Sequence, residues 1–140
     1  MKAHIRYTGN MSFIGKADSN HLVIMDASKS VGGEESAVKP IELILIGLGG
    51  CTGIDVVSIL KKMRASFDKL EILISAEQSE DYPKVFIKIH IEYLFYGKDL
   101  KNEQVERAVT LSKEKYCSVS AMLSKSAEMS HSYKIITETD

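Results

Sequence analysis

The sequence predicts an α+β fold in which antiparallel strands wrap around one long, buried central helix. Strand-like segments come in clusters and do not alternate with helices, which favours antiparallel sheets over a doubly wound parallel sheet. Positions 41–60 are apolar on nearly every side, as is typical of a helix that is buried all round. A chain of 140 residues, 44% of them hydrophobic, is long enough to form one domain with its own core.

A single domain is therefore expected over residues 1–140, and it has three parts. Residues 1–39 form a β-rich arm and loop, residues 40–66 the central helix, and residues 67–140 the remaining strands and helices. The arm is predicted to hold strands at 4–8, 12–16 and 21–25. Gly9-Asn10 is expected to turn the chain, since both residues tolerate a positive φ. The polar loop from Ala27 to Lys39 is longer than most, and such loops are often functional.

The central segment, PIELILIGLGGCTGIDVVSILKKMRAS, begins at Pro40, which suits the first turn of a helix. It is nearly apolar enough to span a membrane, but it carries Glu42, Asp55 and four glycines, so a buried helix of a globular domain is expected. Each glycine costs up to about 1 kcal/mol relative to alanine inside a helix. The glycines therefore indicate either a close approach of another backbone or a helix break near Gly49-Gly50.

The last part is predicted to contain strands at 70–76, 85–95 and 129–137. Alternation in the second of these strands places one set of apolar residues on a single face, namely Val85, Ile87, Ile89, Ile91, Tyr93 and Phe95. Asn102 is expected to cap a helix that runs to about residue 115, with Ser112 facing inward. Ser118 is expected to cap a short helix through residue 124.

Composition and motifs exclude several classes of protein. The formal net charge is −1 and no basic stripe is present, so no nucleic-acid partner is expected. The N-terminus lacks the apolar core of a secretory signal, which favours a cytoplasmic protein with reduced thiols. The four histidines have no metal-like spacing and the glycines form no phosphate-binding motif, so we expect no cofactor, no metal and no membrane association.

Cys51 and Cys117, the only thiols, are the main candidates for chemistry. Cys117 directly precedes a predicted helix, and Cys51 lies at the proposed glycine break. A helix N-terminus stabilises the reactive thiolate, so both positions suit redox or nucleophilic work. The competing interpretation is that both are inert core residues, which is common for free cysteine.

Two carboxylates lie near Cys51 in the sequence. Glu42 is either a first-turn acid that interacts with the helix dipole or a carboxylate held near the thiols. In a continuous helix Glu42 and Cys51 face opposite sides, so only a break at the glycines or a contact across a dimer would bring them together. Asp55 shares a helix face with Cys51, where a negative charge raises a thiol pKa. A helix–helix or dimer contact is the favoured interpretation of Asp55.

Two segments resemble the cysteine motifs of the OsmC/Ohr family of osmotically inducible and organic hydroperoxide resistance proteins. They are PIELILIGLGGCTGIDVVSILKK and KYCSVSAML, and the order of elements around them is also similar. The resemblance implies an intertwined homodimer built on paired central helices. It also implies a thiol peroxidase, in which Cys51 attacks an organic hydroperoxide, Cys117 resolves the sulfenic acid as a disulfide, and a dithiol reductant resets the pair.

The resemblance is to a less characterised branch of that family. In the peroxidase branches a glutamate directly follows the motif proline, whereas here Ile41 occupies that position and Glu42 comes next. No arginine lies between Arg6 and Cys51 to take the place of the family's thiolate-binding arginine. Two alternatives therefore stay open: a dimer that binds a small lipophilic ligand with unreactive cysteines, and a single-cysteine nucleophile with a histidine base.

Overall fold

The computed structural model describes residues 1–137, and its elements follow the predicted order. The chain forms two compact units, the second of which begins at Gly47. The elements are β1 (Ala3–Gly9), β2 (Ser12–Ala17), β3 (Val23–Met25), α1 (Pro40–Lys62), β4 (Lys69–Gln78), β5 (Phe86–Tyr96), α2 (Asn102–Leu111), α3 (Ser118–Leu123) and β6 (Glu128–Ile136). This mixture of two sheets and a long central helix confirms the α+β class.

The first unit contains an antiparallel sheet in the order β1-β2-β3. The predicted turn between β1 and β2 is confirmed, because Gly9 and Asn10 have φ angles of 119° and 48°. The third strand is shorter than predicted and begins at Val23. Asn20, with a φ of 62°, belongs to the turn that precedes it.

The loop after β3 is organised around the buried side chain of Asp26. Its carboxylate accepts hydrogen bonds from the backbone amides of Ala27, Glu34 and Ser36 at 2.8, 3.1 and 3.0 Å, and from the Ser36 hydroxyl at 2.8 Å. These bonds lower the pKa of Asp26 to about 2, with the Ser36 amide as the largest cause. A Cβ added at Gly33 would overlap the Ala27 carbonyl, so only glycine fits there.

The second unit contains a sheet in the order β4-β5-β6. β4 and β5 pair antiparallel, as predicted, but β5 and β6 pair parallel. The expectation of antiparallel strands is wrong for this pair. A parallel neighbour needs a long crossover, and α2, α3 and the segment between them supply it.

The inner face of β5 is confirmed over its second half only. Ile89, Ile91, Tyr93 and Phe95 are buried, whereas Val85 and Ile87 are 45% and 41% exposed. The pairing explains the difference, because Glu77 faces Lys88 while the adjacent Gln78 faces Phe86, which leaves Ile87 without a partner. This bulge reverses the alternation, so that Phe86 turns inward with 8% exposure.

α1 runs from Pro40 to Lys62 without a break at its glycines. The break considered from the sequence is therefore wrong, and close approach accounts for two of the four glycines. Cβ atoms at Gly49 and Gly53 would lie 3.3 and 2.9 Å from the tips of Ile74 and Ile72 on β4. Gly47 and Gly50 have no such neighbour within 4 Å in the part of the chain described.

The helix is less buried than predicted. Its buried residues are Leu48, Thr52, Val56, Ile59 and Leu60, whereas Ile54 is 73% exposed. By length and composition α1 is apolar enough to cross a membrane, with 22% of its most apolar stretch buried. Its contacts with β4 are those of a core helix, and its opposite side, with Ile54, is open and apolar among the described residues.

Two of the predicted helix caps are shifted by one residue. Lys101, not Asn102, is the N-cap of α2, and its amide donates to the Gln104 side chain at 3.2 Å. The Asn102 side chain instead accepts a hydrogen bond from the Tyr133 hydroxyl at 3.1 Å. Cys117, not Ser118, is the N-cap of α3. Between α2 and α3 the chain forms a wider π-helical turn at Ser112–Tyr116.

Candidate functional site

The second unit brings the two cysteines together although 66 positions separate them. The sulfur atoms of Cys51 and Cys117 and a carboxylate oxygen of Asp55 all lie within 4.8 Å of one another. Both cysteines are free thiols. We call Cys51, Asp55 and Cys117 the thiol cluster. The arrangement allows a disulfide after a small movement, and it places a carboxylate beside both sulfurs.

Cys51 lies in the middle of α1 and is half-buried. Because the helix is continuous, its amide belongs to the regular helical ladder, and no helix N-terminus stands at this residue. The sequence-based explanation for a reactive Cys51, a helix start after a glycine break, is therefore wrong. Asp55 follows one turn later on the same face, so it lies beside the thiol.

Cys117 is 3% exposed and forms the N-cap of α3, as its position before a predicted helix suggested. Its sulfur accepts a hydrogen bond from the Ser120 amide at 3.4 Å. Burial is the largest cause that raises the pKa of the Cys117 thiol, and the neighbouring Cys51 raises it further. The hydrogen bonds from Ser120 act in the opposite direction. The net effect keeps Cys117 protonated to a higher pH than a free thiol.

A buried chain of hydroxyl groups leads from the core to Asp55. The Ser112 hydroxyl donates to Asp55 Oδ2 at 3.2 Å and lies 2.9 Å from Thr52 Oγ1. Thr52 Oγ1 in turn lies 2.6 Å from the Tyr93 hydroxyl. Each hydroxyl has one proton, so the bond to Asp55 sets the direction: Tyr93 donates to Thr52, and Thr52 donates to Ser112.

These hydrogen-bonded hydroxyl groups fix the Asp55 carboxylate on the side that faces the core. Burial raises the pKa of Tyr93 to about 12, although its bond to Thr52 lowers it. Tyr93 therefore stays a hydrogen-bond donor at any physiological pH. Asp55 makes the helix–helix contact expected from the sequence, through Ser112. It lies beside Cys51, as its position one turn later predicted, whereas its approach to Cys117 was not predicted.

Sequence reasoning missed Thr52, Ser112 and Tyr93 as members of the site. The sequence did contain an indication of them. Each is a polar residue on or beside a predicted core face, and a buried hydroxyl group needs a hydrogen-bond partner. Their partners lie on three elements far apart in the chain, so no local pattern identifies them.

Glu42 makes the contact of a first-turn acid, one of the two interpretations that the sequence left open. It is exposed, and its Oε2 accepts a hydrogen bond from the Lys39 amide at 2.8 Å in the first turn of α1. Because α1 has no break, one of the two routes by which Glu42 could reach Cys51 is removed. A contact across a dimer is the other.

The two histidines of the second unit, His90 and His131, make no hydrogen bond to the thiols within the described residues. His90 bonds Ser130 and Ser132 on β6 through its two ring nitrogens at 2.7 and 2.8 Å. His131 stacks on Tyr93 with ring centroids 6.3 Å apart, and its ring nitrogens are buried without partners in the described chain. Burial lowers the pKa of His131 to about 4. These contacts do not support the single-cysteine alternative.

The fold and the thiol cluster define a class: a small α+β domain that holds two free thiols side by side on a central helix and a short second helix. Residues 33–132 match the family model described as OsmC-like protein. The chain therefore belongs to the OsmC-like family, and the resemblance inferred from the two cysteine motifs is confirmed.

Known relatives agree with this assignment. Protein YhfA of Escherichia coli strain K12 is 38% identical over 136 residues, which cover 97% of this chain and 98% of YhfA. A hypothetical protein from Aquifex aeolicus has a similar crystal structure, with 30% identity, a TM-score of 0.86, and coverage of 99% of this chain and 97% of that one.

A more distant structure carries a functional name. It is an organic hydroperoxide resistance protein OsmC from Legionella pneumophila, with 16% identity, a TM-score of 0.69, and coverage of 96% of this chain and 97% of that one. At this identity the likeness extends to the fold alone.

Proposed function

We propose that the protein is a two-cysteine thiol peroxidase that reduces organic hydroperoxides and takes part in defence against oxidative stress. The observation that carries the proposal is the approach of the Cys51 and Cys117 sulfur atoms to within 4.8 Å in the reduced chain. Membership of the OsmC-like family supports it, as does the similarity in fold to the organic hydroperoxide resistance protein from Legionella pneumophila.

The exposure of the two thiols supports their assignment. Cys51 is half-buried, so it can meet a peroxide, whereas Cys117 is 3% exposed and can meet only its neighbour. The Cys51 thiolate attacks the terminal oxygen of ROOH, which breaks the O–O bond and leaves a sulfenic acid and, after protonation, ROH. Cys117 then displaces the sulfenic oxygen as water and forms the disulfide. In total, ROOH and two thiols become ROH, water and one disulfide, which a dithiol reductant converts back.

We infer that the working unit is a cytoplasmic homodimer. The open side of α1 supports the inference, because Gly47 and Gly50 admit a close neighbour and Ile54 beside them is 73% exposed. In a dimer, Glu42 is the candidate to act from a contact across the interface, and we keep it as a proposed site residue beside Cys51 and Cys117.

The proposal is tested by the intact mass of the denatured protein after oxidation. Reduced, metal-free protein is treated with one equivalent of cumene hydroperoxide, or of hydrogen peroxide in parallel, and then alkylated. We expect rapid loss of both thiols within one chain, faster with the organic peroxide. The Cys117→Ser variant should stop at a Cys51 sulfenic acid that a dimedone probe captures, and Cys51→Ser should not react.

The opposite outcome is equally clear. If both thiols stay alkylatable after prolonged exposure, the peroxidase proposal fails and the dimer that binds a lipophilic ligand is favoured. Glu42→Gln tests the remaining site residue: a slower first step with an unchanged disulfide yield supports its role, and an unchanged rate removes it from the site.

A further inference from the structure

We propose that the thiol cluster of Cys51, Cys117 and Asp55 is a binding site for a thiophilic divalent cation, with Zn²⁺ as the ion it fits best. The site uses the same thiols as the proposed peroxidase, but it rests on the geometry of the donor atoms and not on their redox activity.

The donor set is that of a zinc site. Thiolate and carboxylate are both common zinc ligands, and two soft sulfurs favour zinc over magnesium or calcium. Three protein ligands leave one tetrahedral position for water or another donor. Cys51 and Asp55 lie on α1, and Cys117 is the N-cap of α3. Both elements have buried residues in the second unit.

The distances are also close to those of a formed site. Two sulfurs at about 2.3 Å from one tetrahedral ion lie about 3.8 Å apart. The donor atoms here are within 4.8 Å of one another, so the sulfur pair needs to close by at most about 1 Å and each sulfur–oxygen pair by at most about 1.3 Å. Rotation of side chains supplies a movement of that size without a change in the backbone.

The surroundings of the cluster favour a cation. Two thiols and a carboxylate converge, and no ion pair to Asp55 is present among the described residues. The Ser112 hydroxyl donates a hydrogen bond to Asp55 Oδ2, as residues that orient metal ligands commonly do. Ser112 is in turn hydrogen-bonded to Thr52, and Thr52 to Tyr93 in the core. Burial disfavours the negatively charged thiolate of Cys117. A bound cation would compensate this charge together with those of Cys51 and Asp55.

Metal and disulfide exclude each other at this site. Binding of Zn²⁺ replaces the two thiol protons, which leave to the solvent, and oxidation to the disulfide removes both thiolate ligands. A loaded site should therefore react slowly with peroxide, and an oxidised site should not take up the ion.

The test uses the reduced full-length protein, treated with a chelator and kept anaerobic. Co²⁺, which occupies zinc sites and absorbs visibly in tetrahedral thiolate coordination, is titrated in, and Zn²⁺ is then added in competition. We expect one Co²⁺ per chain with thiolate-to-metal absorption, displaced by one equivalent of Zn²⁺. Cys51→Ser and Cys117→Ser should each abolish that absorption.

Two further variants examine the carboxylate and its support. Asp55→Asn should weaken Zn²⁺ binding by at least about tenfold, and Ser112→Ala by about tenfold, the usual effect of losing an outer partner. Asp99→Asn, an exposed loop carboxylate, is the matched control and should bind like the wild type. Circular dichroism and thermal melts of each apo variant separate a lost ligand from a lost fold.

The proposal is overturned if Co²⁺ shows no thiolate absorption, or if binding survives both cysteine variants, which would mean an adventitious surface ion only. The oxidation experiment on metal-free protein is independent of this result. If the disulfide forms but no metal binds, only the metal-site proposal is wrong. If metal binds but no disulfide forms, only the peroxidase proposal is wrong.

Discussion

The Tyr93 hydroxyl lies 2.6 Å from Oγ1 of Thr52, the residue that directly follows Cys51. Both side chains are fully buried, with 0% and 1% exposure. The bond therefore joins the central strand of the second sheet to α1 at the position where the helix presents its thiol. Because a buried hydroxyl without a partner costs free energy, this contact stabilises the turn of α1 that carries Cys51.

Thr52→Val should destabilise the protein by about 1–3 kcal/mol, because the shape is kept while the Tyr93 hydroxyl loses its acceptor. The measurement is urea unfolding followed by circular dichroism. The exposed Thr110→Val on α2 is the control and should change the free energy of unfolding little. Adding Tyr93→Phe to Thr52→Val should recover part of the loss, because both partners are then apolar. Additive losses in the double variant would contradict the assigned bond.

Stability should fall between about pH 6.5 and pH 4 because of His131. Its pKa is lowered from 6.5 to about 4, with burial as the main cause and the nearby Lys113 and His90 as further causes. In that interval the unfolded chain binds a proton that the folded chain does not, so stability is complete above the unfolded value and declines as the pH drops. Because His131 is only partly buried, solvent screening reduces the full effect, and the decline should reach about 1–2 kcal/mol at pH 4.

His131→Phe keeps the stacking on Tyr93 and should flatten the pH dependence over this interval. Chemical unfolding at several pH values compares the two proteins. Equal slopes in wild type and variant would show that His131 is not the responsible group.

The loop after β3 should open when Asp26 loses its charge. Asp26→Asn removes one acceptor oxygen from a carboxylate that bonds three backbone amides and the Ser36 hydroxyl, so limited proteolysis should cut within residues 27–36 faster than in the wild type. The exposed Asp81→Asn serves as the control. Its cleavage pattern should match the wild type, and equal protection in Asp26→Asn would refute the role of this carboxylate.

Acid should have the same effect on this loop as the substitution. The folded pKa of Asp26 is about 2, below its ordinary value of 3.8, so its contribution is complete above the ordinary value and is lost as the pH falls through about 2. Amide exchange of Glu34 and Ser36, measured by nuclear magnetic resonance as the pH is lowered, should show their protection lost in that interval. Protection that persists well below pH 2 would contradict this.

The open side of α1 should be an interface in the proposed homodimer. Ile54→Lys places a charge on a side chain that is 73% exposed, so the chain should stay folded and become monomeric. Light scattering after size exclusion measures the mass. Leu73→Lys, on β4 and 52% exposed, is the matched control. A wild-type monomer, or a dimer unaffected by Ile54→Lys, would exclude this interface.

Sequence periodicity predicted most of the secondary structure. The alternation of β5, the helix that begins at Pro40, and the order of elements all follow from local repeats, because side-chain direction depends on the backbone period alone. Some of the errors in secondary structure are also local in origin. A bulge at Ile87 reversed the alternation, and two N-caps moved by one residue, since caps depend on single hydrogen bonds.

The sequence predicted two members of the thiol cluster but not its geometry, and the roles of Cys51, Cys117 and Glu42 stay predictions. Family motifs in the sequence identified Cys51 and Cys117, and the fold brings them together as that resemblance implied. Asp55 was visible one turn after Cys51, yet its hydrogen bond to Ser112 spans 57 positions. The glycine break suggested from propensity does not occur, because packing of Gly49 and Gly53 on β4 stabilises a continuous helix.

The sequence by itself determined the fold class, because the periodicity of apolar residues predicts the helices and strands. It also determined the two thiols and the family, because the two cysteine motifs are readable directly from the sequence. Only the tertiary structure decided the parallel pairing of β6, the hydroxyl chain from Tyr93 to Asp55, and the convergence of three ligand atoms on one point. The physical reason is that these features depend on how distant elements pack. Burial of apolar faces selects that packing for the chain as a whole, and no local segment encodes it.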